Sequence, residues 1–366
     1  MIKSIAFASI ISCILFGNDE EDKLSDLETR ITRLEQKQNK KTINPSTNPI
    51  VKGGFDFWLQ GEALFLKAAE DNLSYAVAVQ GDTDLFALGT APHGHVKNIT
   101  YDWSWGYRVR GGSNFQHDGW DLFIDWTSFC ANGSDQHWTE PPTSGNLLTW
   151  GSSGASNDIA IFAKGSTRLE LYFLDAELGR EFFVSRWLTL RPFVGGRAAW
   201  VERKMKAIYQ ALGIEFPMDK ANIHLVNRFN GGGLRLGLDS QWIVDWGFSF
   251  YGDLALSLLY GTQHLHNRYF QKSRESKPLD FDLARINNNS TTVRPMAELA
   301  LGIRWDKFFC NSRYRLRLQA GWEQQVLFGF GKDMNFTDLG LISGKFFPNG
   351  GDLSLSGVSC QARFDF

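Results

Sequence analysis

The chain has 366 residues, 38 Lys and Arg against 40 Asp and Glu, and a net charge of −2. That balance lacks the basic footprint of a nucleic-acid-binding protein, so no nucleic-acid partner is expected. Aromatics make up 14%, with 13 Trp and 29 Phe, yet the mean hydropathy is −0.25, which suits a wall apolar on one face and polar on the other.

The amino-terminal residues 1–17 read as a signal peptide. Lys3 supplies the positive charge, Ile5 to Phe16 form a short apolar run, and Gly17 is a small residue at the cleavage position. Ile10-Ile-Ser-Cys13 loosely resembles a lipobox, but Cys13 sits inside the apolar run. The run is shorter than the roughly 20 residues of a spanning helix, and no later stretch is long and apolar enough. Only a closed barrel could then cross a membrane.

Residues 18–50 form a polar segment. Leu24, Leu27, Ile31 and Leu34 recur at helical spacing among charges, predicting a short periplasmic helix. It is either a lone amphipathic helix or a stalk for a homo-oligomer. Pro45 and Pro49 then break it into a linker.

From residue 53 to 366 the period changes to two, predicting a barrel domain. Phe57, Leu59, Gly61, Ala63 and Phe65 alternate with Trp58, Gln60 and Glu62. Trp105, Tyr107 and Val109 alternate with Arg108 and Arg110, and Leu122, Ile124 and Trp126 with Asp121 and Asp125. Leu169, Leu171 and Phe173 open a strand that shifts phase near Asp175. Leu188 to Trp200 alternates with Arg191 and Arg197, although Pro192 cannot donate to a ladder. Leu234 to Leu238, Phe248 to Leu258, Val293 to Trp305 and Tyr314 to Trp322 repeat the pattern, and Val358 to Phe366 closes it.

The fold expected is an all-β membrane protein: an antiparallel transmembrane β-barrel of at least ten strands, or about 12–16 if the long connections hide more. Short connections near 115–118, 182–186, 244–247 and 307–312 alternate with long ones near 68–100, 131–166, 204–228, 261–291 and 329–352. Outer-membrane barrels have this asymmetry, with short periplasmic turns and long external loops. Outer-membrane lipid is thus one partner. Trp58, Tyr101, Trp103, Trp120, Trp126, Trp200, Trp242 and Trp322 are expected in aromatic girdles.

The polar face supplies the candidate lumen lining: Arg108, Arg110, Arg191, Arg197, Arg235, Arg294, Arg304, Arg313, Arg315 and Arg317, with Glu62, Asp253 and Glu298. Charges on lipid cost several kcal/mol at mid-bilayer, so they must point inward. An arginine-rich water-filled lumen would bias passage toward anions. Alternatively the charges pair and plug a narrow barrel. Catalytic motifs are absent, and no metal or cofactor is expected. His93, His95, His264 and His266, assigned to external loops, read as solvated side chains.

Several stretches resemble the major-outer-membrane-protein-like family of pore-forming proteins of Legionella and Chlamydia-related bacteria. They are Phe55 to Lys67 followed by Glu70 to Ala76, Asp175 to Phe183 running into Leu188 to Trp200, Gly233 to Trp242, and Arg363 to Phe366. The resemblance implies an oligomeric outer-membrane porin that conducts small hydrophilic solutes and carries no catalytic residues. It also implies envelope crosslinking through cysteines, for which this chain offers Cys130, Cys310 and Cys360. A last strand ending in Phe364 and Phe366 resembles the signal read by the barrel-insertion machinery. The other reading of the residues is a surface adhesin or structural envelope barrel with a narrow or plugged lumen.

Overall fold

Alternation along a strand puts every second side chain on the same face, and a sheet with two different faces can bury its edges by closing on itself. The computed structural model shows that closure. It describes residues 56–80, 93–115, 119–140, 144–148, 159–211, 218–273, 280–310, 314–331, 333–336 and 346–366. The signal peptide, the predicted helix and Arg313 lie outside these residues.

The strands in chain order are β1 (Phe57–Glu70), β2 (Ser74–Gln80), β3 (His93–Asn98), β4 (Ser104–Asn114), β5 (Trp120–Trp138), β6 (Ser144–Leu148), β7 (Ile159–Arg180), β8 (Phe182–Ser185), β9 (Leu188–Ala211), β10 (Met218–Ile243), β11 (Phe248–Ser273), β12 (Asp280–Phe309), β13 (Tyr314–Leu327), β14 (Asp333–Phe336), β15 (Phe346–Asn349) and β16 (Leu353–Asp365). Ten of them form an antiparallel ring in the order β1, β4, β5, β7, β9, β10, β11, β12, β13, β16 and back to β1. The seam pairs β1 with β16, from Trp58 opposite Asp365 to Glu70 opposite Leu353. The ring therefore closes at the ten strands read from the alternation, and not at the larger number allowed for hidden ones. The extra strands decorate one end, where β2 pairs with β3 and with β6, and β6 continues onto β7.

Pro192 causes no gap. It falls between Phe193, where the β7 ladder ends, and Leu190, where the short β8 ladder begins. On that side of β9 no neighbour needs its missing donor.

The wall has a lipid-facing band. On β11 it runs from Phe248 through Leu254, Leu256 and Leu258 to Tyr260, all exposed. Strands β9 to β12 are 24 to 30 residues long, far beyond the roughly 9–11 residues that cross a bilayer. They extend past the band at the end opposite the short turns. Most of the expected external loops at 204–228 and 261–291 are thus paired strand. Outward residues there are mostly polar, so the apolar contrast that marks a strand in lipid fades while the period of two persists.

Two aromatic assignments change. Trp58 is buried with the Arg363 guanidinium 3.9 Å above its ring, and Tyr101 is buried inside the barrel. Trp105, Trp120, Trp126, Trp200, Trp242 and Trp322 are exposed on the outer wall, as a girdle requires.

Gly233 sits where β10 and β11 approach closely. A Cβ there would fall well inside contact distance of the Leu258 carbonyl, which is backbone and cannot rotate away. Gly233→Ala is expected to cost roughly 3 kcal/mol or more. The fraction of refolded protein that keeps the fast gel mobility of an unheated barrel measures this, and an unchanged fraction would refute it.

Candidate functional site: the barrel lumen

The lumen divides into a charged half and an apolar half. In the half nearer the short turns, alternation brings arginines and carboxylates inward from nearly every strand. Arg108 on β4 donates to Glu62 of β1 at 3.1 Å, to Glu323 of β13 at 2.7 Å and to Thr127 of β5 at 2.9 Å. Arg110 donates to Asp125 at 2.6 Å. Arg191 holds Asp121 with two nitrogens and reaches Asp239 at 2.8 Å. Gly179 leaves the space that this guanidinium fills. Glu298 on β12 bridges Arg197 and Arg235, which also hold Asp175 and Glu177. Arg315 and Arg317 share Asp306 at 2.7 and 2.9 Å.

Every described arginine of the predicted lining thus points into the lumen, and each except Arg294 and Arg304 has a carboxylate partner. Arg304 donates to Gln319 and Gln241 at 2.9 and 2.8 Å, and Arg294 donates to Gln263. Glu62, Asp253 and Glu298 face the same space. With Arg108, Arg110, Arg191, Arg235, Arg304, Arg315 and Arg317 they line a polar chamber of about 130 Å³, and Arg197 and Arg294 lie outside that lining. Asp102 is exposed ahead of β4 and does not join this lining.

The other half holds a hydrophobic septum, which the sequence reading missed. It begins level with the outer edge of the lipid-facing band, where Leu259 lies between outward Leu258 and Tyr260. Leu64 and Leu66 of β1, Phe129 of β5, Leu169, Leu171 and Phe173 of β7, Val201 and Met205 of β9, Phe229 of β10 and Leu355 of β16 converge with at most 3% exposure. The connection from β1 to β4 folds into their midst and adds Leu73, Tyr75, Ile99 and Tyr101. Each such side chain contributes roughly 1.5–3 kcal/mol by leaving water. Burial forces the polar atoms here to find partners. Tyr75 donates to Asp135 at 2.9 Å, the Tyr209 hydroxyl donates to the Tyr75 carbonyl, and Tyr101 donates to Glu70 at 3.0 Å. Arg203 meets Glu70 at 2.8 Å with both side chains fully buried.

The septum corrects the reading of β7. There is no phase shift near Asp175: inward residues stay odd from Leu169 through Asp175 to Glu177. The inward face changes from apolar to acidic because it passes from septum to charged half. The signal was present in Leu174 and Leu178, which continue the outward series beside Asp175 and Glu177.

Other polar clusters offer little chemistry. Among the described residues no three His, Cys, Asp or Glu side chains are placed to hold a metal. His264 and His266 lie on β11, and His93 and His95 on β3, not in loops. Histidine hydrogen bonds run to Asn146, Asn289 and Asn287. Cys130, Cys310 and Cys360 are free thiols.

The family model described as Legionella pneumophila major outer membrane protein precursor matches residues 47–366. The chain belongs to this family. It is an integral outer-membrane β-barrel protein. Among solved structures, the outer membrane protease OmpT of Escherichia coli is 10% identical over 85% of this chain and 96% of its own, with a TM-score of 0.44. A FadL homologue of Pseudomonas aeruginosa is 10% identical, with 88% and 92% coverage and a TM-score of 0.28. The toluene transporter TodX of Pseudomonas putida is 9% identical, with the same coverages and a TM-score of 0.29. No curated protein matches the chain.

Proposed function

We propose that this family member is a closed-lumen wall barrel of the outer membrane, which presents its long outer strands to the surroundings and does not hold a permanently open pore. The observation that carries this reading is the septum. A ten-stranded ring is only slightly wider than the eight-stranded one that side chains fill, and wide aqueous channels use about 16–18 strands. Here apolar side chains from most of the ring meet the inserted β1–β4 connection, so hydrated solutes meet a dry barrier. The charged half supports the same reading, because paired arginines lose the net field that would draw anions through.

A second reading has one specific observation in its favour. The septum is completed by a connecting segment, held by the Tyr75, Tyr101 and Tyr209 hydrogen bonds, above a polar chamber. Withdrawal of that segment would leave a restricted path for small solutes.

Planar-bilayer recording of the refolded protein tests the proposal. The expected record shows inserted barrel without steady conductance. Stepwise openings of reproducible size in the unmodified protein would overturn it in favour of an open porin.

A further inference from the structure

The charges lining the polar chamber match in number but do not all meet. Asp253 on β11 stands directly opposite Asp239 on β10. The Arg191 guanidinium holds Asp239 at 2.8 Å. Asp253 has no ion pair or hydrogen bond among the described residues, and its Oδ1 is buried without a partner. Like charges directly opposite one another in a sheet are destabilising, so this pair of carboxylates is one cation short. The opposite sign is unmet close by. Arg304 on β12 is 8% exposed, and of the arginines that line the chamber it is the one without a carboxylate partner. Its Nε and Nη1 donate to Gln319 and Gln241, which leaves Nη2 over.

Reach explains why these two do not pair. The Arg304 guanidinium carbon lies over the Tyr251 ring, 5.4 Å from its centre. Tyr251 and Asp253 are successive inward residues of β11, about 7 Å apart at a strand's rise of roughly 3.3 Å per residue. A direct ion pair needs nitrogen and oxygen within about 4 Å. Two charge-assisted hydrogen bonds of about 2.8 Å each, made by a molecule whose two charged groups share one carbon, span such a gap. Arg304, Tyr251 and Asp253 all line the chamber, so the space for that molecule is there. The lining runs down to Asn114 and Glu181, beside the short turns, while the septum closes the other end.

We infer that the chamber binds a small zwitterion of the α-amino acid class, whose carboxylate is received by Arg304 and whose ammonium group is received by Asp253. Charge selects the partner. A lone anion would gain Arg304 but face Asp253 and Asp239, and a lone cation would gain Asp253 but face Arg304. A molecule carrying both signs gains both contacts and leaves the lining balanced. Size narrows the class further. A cavity of roughly 150 Å³ holds a benzene molecule, so one of about 130 Å³ takes a compact amino acid such as alanine. This site goes beyond the closed lumen proposed above: the septum stops passage, and the chamber holds its solute from the side of the short turns.

Equilibrium dialysis of radiolabelled alanine against the full-length folded protein in neutral detergent tests the inference. Propionate and ethylamine, which each keep one of alanine's two charged groups, serve as competitors. The variants D253N and R304Q are measured beside the unmodified protein, and heat-modifiable gel mobility verifies that each barrel is folded. The expected result is saturable alanine binding, with propionate and ethylamine each at least about tenfold weaker because each lacks one charged contact. Each variant is expected to lose at least about tenfold for the same reason. Absence of saturable binding would overturn the inference, as would folded variants that bind like the unmodified protein. Propionate competing as well as alanine would overturn it in favour of an anion site, and ethylamine doing so in favour of a cation site. The competitor series on the unmodified protein decides the matter where a variant fails to fold. No membrane is involved, so this outcome is separate from that of the bilayer recording.

Discussion

Replacing Glu70 by alanine is expected to destabilise the barrel by about 3–5 kcal/mol, although Glu70 touches neither solvent nor lipid. The carboxylate lies within the septum, 2.8 Å from Arg203 and 3.0 Å from the Tyr101 hydroxyl. A buried ion pair gains little over a well-packed apolar pair, because desolvation offsets the attraction. Removing one member is different. The Arg203 guanidinium then loses the carboxylate that meets it at 2.8 Å, on a face shared with buried Met205 and Val201. The double variant E70A/R203M is therefore expected to regain most of the loss. Urea unfolding in lipid vesicles, followed by tryptophan fluorescence, gives the midpoints for this cycle. Additive losses in the double variant would show that the two residues contribute independently, contrary to the geometry.

The second large effect concerns conductance. Replacing residues 72–102 with a short Gly-Ser turn joins β1 to its antiparallel neighbour β4 directly. The ring is untouched, but Leu73, Tyr75, Ile99 and Tyr101 leave the septum. The proposed function predicts a change from a silent membrane to stepwise openings. The side chains left behind cannot fill the space, and an apolar gap wide enough for water wets. The chamber lining sets eight arginines against eight carboxylates, so the opened path should show little preference between cations and anions in a salt gradient. A folded deletion variant that stays silent would refute the septum as the seal and move it to the charged half.

Much of this architecture was legible in the sequence, for a physical reason. Where one face meets lipid and the other meets buried charge, residues such as Leu316, Arg317, Leu318 and Gln319 alternate, and each of the ten wall strands showed at least part of its length that way. The inward direction of the arginines followed from the cost of charge in lipid. Their neutralisation did not follow, since Arg108 finds Glu62 across 46 residues and Glu323 across 215. The septum was hidden because Leu169, Leu171 and Phe173 are apolar on the inside where Tyr172 and Leu174 are apolar on the outside. Amphipathic contrast vanishes at that level. The outer strands were hidden by the opposite effect, with polar side chains such as His264 and His266 facing water.

The position of Arg108 has a consequence for how the wall could part. A barrel can open sideways into the bilayer only at a join between strands, and the join between the first and last wall strands has no covalent turn. Arg108 sits one strand to one side of that join and Glu323 one strand to the other, with Glu62 between them on β1. The guanidinium therefore works as a clasp fastened from within. Sliding β16 away from β1 would strand a charge in a poorly solvated interior, so the Arg108 contacts oppose lateral release of lipid or peptide through the seam.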